Sequence, residues 1–209
     1  MKLSLAEGLY LIALDDEEGR LLAAAEGTID HGLVAAGILE LVVTGRLELM
    51  GAIVNVKNTA GTGNKLLDSI LALVGEGGEI DGLVRRVVKE LPEIQNDATQ
   101  LLITRGIIRK ESTKLLWIPV SERMGNANYA FEQEIRDSLH KIVLKGAKPT
   151  PSWVVLMSLI QYNNLLSEVF KKKDDLIDAV KVAKDIANNS VDENLSKALH
   201  KLSDHFSSL

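Results

Sequence analysis

Imidazoles are the most versatile catalytic and metal-binding groups a chain can carry, and here there are four: His31, His140, His200 and His205. Metal ligation from one helix needs two of them at i and i+4, with a glutamate between them in the HExxH arrangement, and no pair has that spacing. His200 and His205 stand five apart, which puts them on different helical faces. His31 follows Asp30, and the other three lie among Lys, Asp and Ser, so all four read as solvated surface side chains. There is no cysteine, which excludes a disulfide framework, a zinc–thiolate site and a thiol nucleophile. No GxSxG nucleophile elbow occurs either. The expectation is a protein that is not an enzyme and that uses no cofactor or metal.

One stretch has the look of a phosphate cradle: Thr59-Ala60-Gly61-Thr62-Gly63-Asn64-Lys65. It lacks the GxxxxGK[ST] spacing and the hydroxyl after the lysine. It therefore reads as a strand-to-helix turn in which a glycine supplies a positive φ. The acidic run Asp15-Asp16-Glu17-Glu18 reads as a solvated turn.

The segment after Gly106 is more informative. Ile107 to Met124 carries β-branched and apolar residues on both sides of Glu111-Ser112-Thr113-Lys114, the pattern of a β-hairpin over about 107–124. Within it Leu115-Leu116-Trp117-Ile118 places four consecutive large apolar residues beside basic ones. A strand with one wet face alternates, so this run needs a cover on at least one face. The core, a second subunit and a lipid interface remain the three candidates, and tryptophan suits an interface because it joins an apolar body to one donor. Residues 105–123 carry a net charge of +3, against −6 for residues 1–50 and −5 for the whole chain. An acidic chain of this kind has no global signature for nucleic acid.

The elements that must hold these groups are mostly helical. Ser4-Leu5-Ala6-Glu7 has the spacing of a capping box and starts a helix running to about Leu14. Ile29 to Thr44 reads as a buried helix closed by Gly45. Leu47, Leu49 and Ile53 to Val56 read as short strands. Helices follow over 65–74, 80–91 and 93–105, the last two divided by Pro92. After the hairpin come helices over 127–145, 152–170, 173–188 and 192 to the end. With 209 residues, 46% of them hydrophobic, the chain is expected to be one mainly α domain over 1–209 with a few short strands and a projecting hairpin. Its apolar stretches fall short of the roughly 18 residues of a membrane span, and no basic-then-apolar leader is evident, so the expected place is the cytosol.

Three stretches, in order, resemble the Golgi phosphoprotein 3 family. They are Leu5 to Gly19, then Ile38 to Leu49 with its Gly45-Arg46-Leu47, and then Thr62-Gly63-Asn64-Lys65-Leu66-Leu67-Asp68. Leu101 to Ile108, the apolar hairpin and Leu165 to Phe170 follow in register. The resemblance implies a compact, mostly helical domain with one projecting hairpin. It also implies a peripheral membrane protein: eukaryotic members bind phosphatidylinositol 4-phosphate, hold glycosyltransferase tails in coat vesicles and self-associate through the hairpin.

The family's headgroup residues do not carry over. By ungapped counting, Ala25 stands at the family's tryptophan and Val34, Pro92 and Gln95 at its three arginines. A phosphomonoester is held chiefly by charge-assisted bonds from guanidinium groups, and these positions supply none. This chain also lacks the long basic N-terminal arm and resembles a lean relative of prokaryotic type. The expected function is a peripheral membrane or lipid-binding module whose contact residues are Leu115, Leu116, Trp117 and Ile118, on the cytosolic face of a membrane. The expected partners are an anionic lipid headgroup and another protein or a second copy of the chain. The alternative is a protein-interaction scaffold that oligomerises through the hairpin.

Overall fold

The computed structural model describes residues 3–15, 19–115, 118–126, 129–189 and 192–209, with the hairpin residues from 110 onward described by their backbone. It is mainly α. Helix α1 (Leu5–Ala13) is buried along its whole length, and it is opened by a reciprocal capping box: Ser4 Oγ accepts from the Glu7 amide, while Glu7 accepts from the Ser4 amide. Helix α2 (Ile29–Val43) is the central one, with residues 32–39 buried without a break. Such a helix must be enclosed on every side, and α2 packs against α1, α3 (Lys65–Val74), α4 (Ile80–Glu90), α5 (Ile94–Thr104) and α7 (Pro151–Tyr162). Gly37 permits the α3 contact, since a Cβ there would lie 2.3 Å from Ile70 Cδ1. Gly45, at φ +73, ends the segment in the left-handed conformation that glycine tolerates.

Strands β1 (Leu47–Met50), β2 (Ile53–Val56) and β3 (Gly78–Glu79) form a small antiparallel sheet in that order. Beyond the hairpin, α6 (Tyr129–Lys145), α7, α8 (Leu166–Val169), α9 (Lys173–Asn188) and α10 (Glu193–Phe206) complete the chain. The core runs from Leu3 to Phe206, with Phe170 its largest fully buried side chain. No helix among the described residues is long and apolar enough to cross a membrane.

Two expectations are corrected. The segment 152–170 is two helices, because the chain breaks at Asn163-Asn164. Asn164 sits at φ +60, a conformation asparagine adopts more readily than most residues. The buried Asn163 amide donates to the Leu159 carbonyl at 2.7 Å. The polar stretch Glu111 to Lys114 is strand rather than turn. It lies within β4 (Ile108–Leu115), which pairs antiparallel with β5 (Ile118–Asn126) from Ile108↔Asn126 to Leu115↔Ile118, with a register shift between Thr113 and Lys114.

Candidate functional site

The hairpin is a two-stranded ribbon. Apart from each other, the ribbon strands rest mainly on α5, through β4. Ile107 and Ile108, at its base, are buried. The pairing ends at Leu115↔Ile118, the two described residues of the apolar run, at the end away from α5. Eight residues of strand at about 3.3 Å each set that end roughly 25 Å from the base. Leu116 and Trp117 lie outside the described residues.

Of the four headgroup positions, Ala25 lies in the short turn before α2, Val34 within α2, and Pro92 and Gln95 at the entry to α5. Ala25 and Val34 are fully buried, Pro92 is exposed, and Gln95 is half-buried. Gln95 Nε2 donates to Asp30 Oδ1 at 2.7 Å. Asp30 also lies close enough to Tyr10 to help raise that phenol's pKa, although burial is the larger cause. A carboxylate here opposes a phosphate, and no guanidinium stands at any of the four positions.

Beside Asp30 the histidines depart from the expectation of solvated side chains. His205 is buried at 3% exposure. Arg85 Nη1 lies 2.8 Å from His205 Nδ1, and His205 Nε2 lies 2.8 Å from His31 Nδ1. Guanidinium has no acceptor, so Arg85 donates; His205 then carries its proton on Nε2 and donates to His31. Arg85 is held by the buried Asp81, four residues before it on α4. Burial, His31 and Arg85 together push His205 down to about 4. His31 is lowered too, chiefly by burial. His140 is half-buried and packs on Phe170, with ring centroids 4.7 Å apart. Only His200 is exposed as expected.

A cavity of about 410 Å³ opens between the start of α1, the end of α2, the turn into α3 and the end of α5. Its floor is Glu7, 1% exposed. Glu7 Oε2 accepts from the Ser4 amide at 2.7 Å and from Arg105 Nη1 at 2.6 Å, while Oε1 has no hydrogen-bond partner. Glu40 joins it from α2 and accepts from the Leu5 amide. Burial raises the Glu40 carboxyl, and the neighbouring Glu7 adds to the rise. Arg46 closes one side and donates to the Gly61 carbonyl at 3.1 Å. The phosphate-like loop serves its own helix: Asn64 Oδ1 accepts from the Leu66 and Leu67 amides, so the start of α3 is already capped. Thr62 donates to Asp68 through both its amide and its hydroxyl, and these bonds lower the Asp68 carboxyl. The sequence reading did not single out this cavity. Its signal was a lone glutamate inside each of two mostly apolar helices, LAEGLYLIA and IDHGLVAAGILELVV.

The family model for Golgi phosphoprotein 3 (GPP34) matches residues 5–205. The chain belongs to the Golgi phosphoprotein 3 family. Comparison with curated proteins finds no match. The Golgi phosphoprotein 3 match spans β4 and β5. It includes equally the Ser4–Glu7 cap from Leu5 onward, the Gly45-Arg46-Leu47 corner, and the Thr62–Asp68 turn, all of which border the cavity.

Proposed function

We propose that this protein is a non-enzymatic module that associates peripherally with anionic membrane surfaces through the end of its β4–β5 ribbon. Membership of the Golgi phosphoprotein 3 family is the observation that carries this reading. The ribbon supports it by ending its pairing at Leu115↔Ile118, away from the body. The headgroup positions make a phosphoinositide pocket of the family type a poor fit, since Ala25, Val34, Pro92 and Gln95 supply no cation and Asp30 supplies an anion.

The energetics favour weak, reversible attachment. Burying Leu115, Leu116 and Trp117 contributes about 2 kcal/mol each. Three net positive charges near an anionic surface add about 1 kcal/mol each. Association itself costs about 4–15 kcal/mol. One ribbon therefore holds poorly, and several presented together hold well.

A second reading has its own observation. The ribbon has two strands and, among the described residues, no further strand on either outer edge. An open edge is a template for pairing with a second copy, which would make the protein a scaffold that oligomerises through the hairpin. Flotation with anionic and with neutral vesicles, run beside light scattering, tests both. Wild type is expected to float with anionic vesicles and Trp117→Glu to stay behind. Equal flotation of the two rejects the ribbon as anchor. A strict monomer at high concentration, unchanged by Leu116→Glu, rejects the scaffold.

A further inference from the structure

The membrane reading leaves unused the relay of rings that ties the last turn of α10 to the body. Arg85 of α4 donates to His205 Nδ1, and His205 Nε2 donates to His31 Nδ1 of α2, both at 2.8 Å, so His31 keeps its own proton on Nε2. An added proton finds no acceptor anywhere in this relay. On His205 Nδ1 it would face the guanidinium, and on His31 Nδ1 it would face the His205 N–H. Otherwise the turn is lightly fastened. From Ser203 onward only His205 and Phe206 are buried, and Phe206 stacks on Tyr162 of α7 with ring centroids 5.6 Å apart. A segment held by so few buried groups belongs to the low-stability end of a fold, able to open while the helices around α2 stay packed.

We propose that the last turn of α10 is an acid-operated latch, closed on α2 and α4 while His31 and His205 are neutral and released by a proton on either ring before the core unfolds. The surrounding charges set the direction. Asp30 favours a proton on His31 and Asp81 favours one on His205, but burial and Arg85 oppose both and prevail. Lys201 lies 3.4 Å from Glu79 of β3 and 4.0 Å from Asp81, and Asp204 precedes His205 on α10 itself. On α7, Tyr162 is pushed up to about 12 and stays neutral throughout. Of the other elements against α10, α9 places Lys184 in a cavity shared with His200 and Tyr162, and β1 carries Glu48, paired with Lys57. Release uncovers the face of Tyr162 that Phe206 stacks on, and it frees the Arg85 guanidinium from His205.

The test is amide hydrogen exchange of the whole chain at pH 7.5 and pH 5, read residue by residue by NMR and corrected for the intrinsic rate at each pH. The amides of His205, Phe206 and Ser207 are expected to lose about tenfold or more in protection at pH 5, while those of Leu33 to Leu39 in α2 change by less than about threefold. His205→Gln offers an amide that accepts from Arg85 and donates to His31 without titrating, and it is expected to cut the loss at the last turn to about threefold or less. His31→Gln, at a half-buried position, keeps an acceptor for His205 and is the second variant should His205→Gln already be open at pH 7.5. It too is expected to lose less protection than wild type. The proposal is overturned by any of three results: a wild-type loss below about threefold, a loss of the same factor in α2 and in the last turn, which would mark global unfolding, or losses in both variants equal to that of wild type.

Discussion

At His205 the neighbours decide a protonation state. Arg85 can only donate to Nδ1, so a second proton on His205 would set an imidazolium N–H against a guanidinium N–H at 2.8 Å. The folded pKa of about 4 lies below the ordinary value of 6.5. The unfolded chain therefore binds a proton first as pH falls. The stability that depends on neutral His205 is fully present above pH 6.5 and is lost progressively toward pH 4, with His31 adding in the same direction. The loss from His205 alone amounts to about 2 kcal/mol at pH 5. Thermal melting between pH 7.5 and 5 is expected to show this fall in wild type and a shallower one in His205→Gln. Equal slopes would remove His205 as the cause. None of this was visible in the residue order. His31 and His205 are 174 positions apart, and what joins them is the packing of α10 near α2 and α4, which a scan for spacing along one helix does not detect.

Local rules carried most of the elements. Ser4 and Glu7 announced α1, Gly45 ended α2, and the predicted bounds of α3 coincide with Lys65–Val74, because capping and glycine conformation are decided by near neighbours. The two corrections arise where polarity was read as a break or apolarity as continuity. The apolar run through Leu165 and Leu166 hid the break at Asn163-Asn164. Glu111 to Lys114 looked like a turn because polar residues mark solvation as well as reversal, and a ribbon that rests mainly on one helix has no need of strict alternation. Strand β3 was missed because two residues, Gly78 and Glu79, carry no periodicity. It exists through a close approach: Gly77 is at φ +95, and a Cβ there would lie 2.2 Å from the Val54 carbonyl oxygen. Gly77→Ala is expected to destabilise by about 2–4 kcal/mol in urea melts, through both the backbone conformation and the displaced β2 edge. Gly82→Ala, inside α4 with nothing within 4 Å of the added carbon, is expected to stabilise by about 0.5–1 kcal/mol. Equal effects would show that the β2–β3 approach carries no special constraint.

The whole molecule separates two properties that are mixed in its sequence: apolar residues that hold it together and apolar residues that end its ribbon. The core from Leu3 to Phe206 is assembled by α1, α2 and the helices around them, whereas β4 and β5 pack mostly on each other. The charge divides along similar lines, with net −6 over residues 1–50 and net +3 over 105–123. If the ribbon serves contact and not folding, its removal must leave the body intact. Replacing residues 110–124 by a two-residue Asn-Gly turn joins Arg109 to Gly125, which already face each other in the register, in a hairpin that the type I′ turn closes. Ile107 and Ile108, the buried residues at the base, remain in place. A change confined to such a surface element is expected within about 0.5 kcal/mol, or about 2 °C in Tm for a chain of this size. The same variant is expected to lose flotation with anionic vesicles. A large drop in Tm would make the Leu115–Ile118 run part of the fold, and it would remove the reason for assigning that run to a membrane or to a second copy.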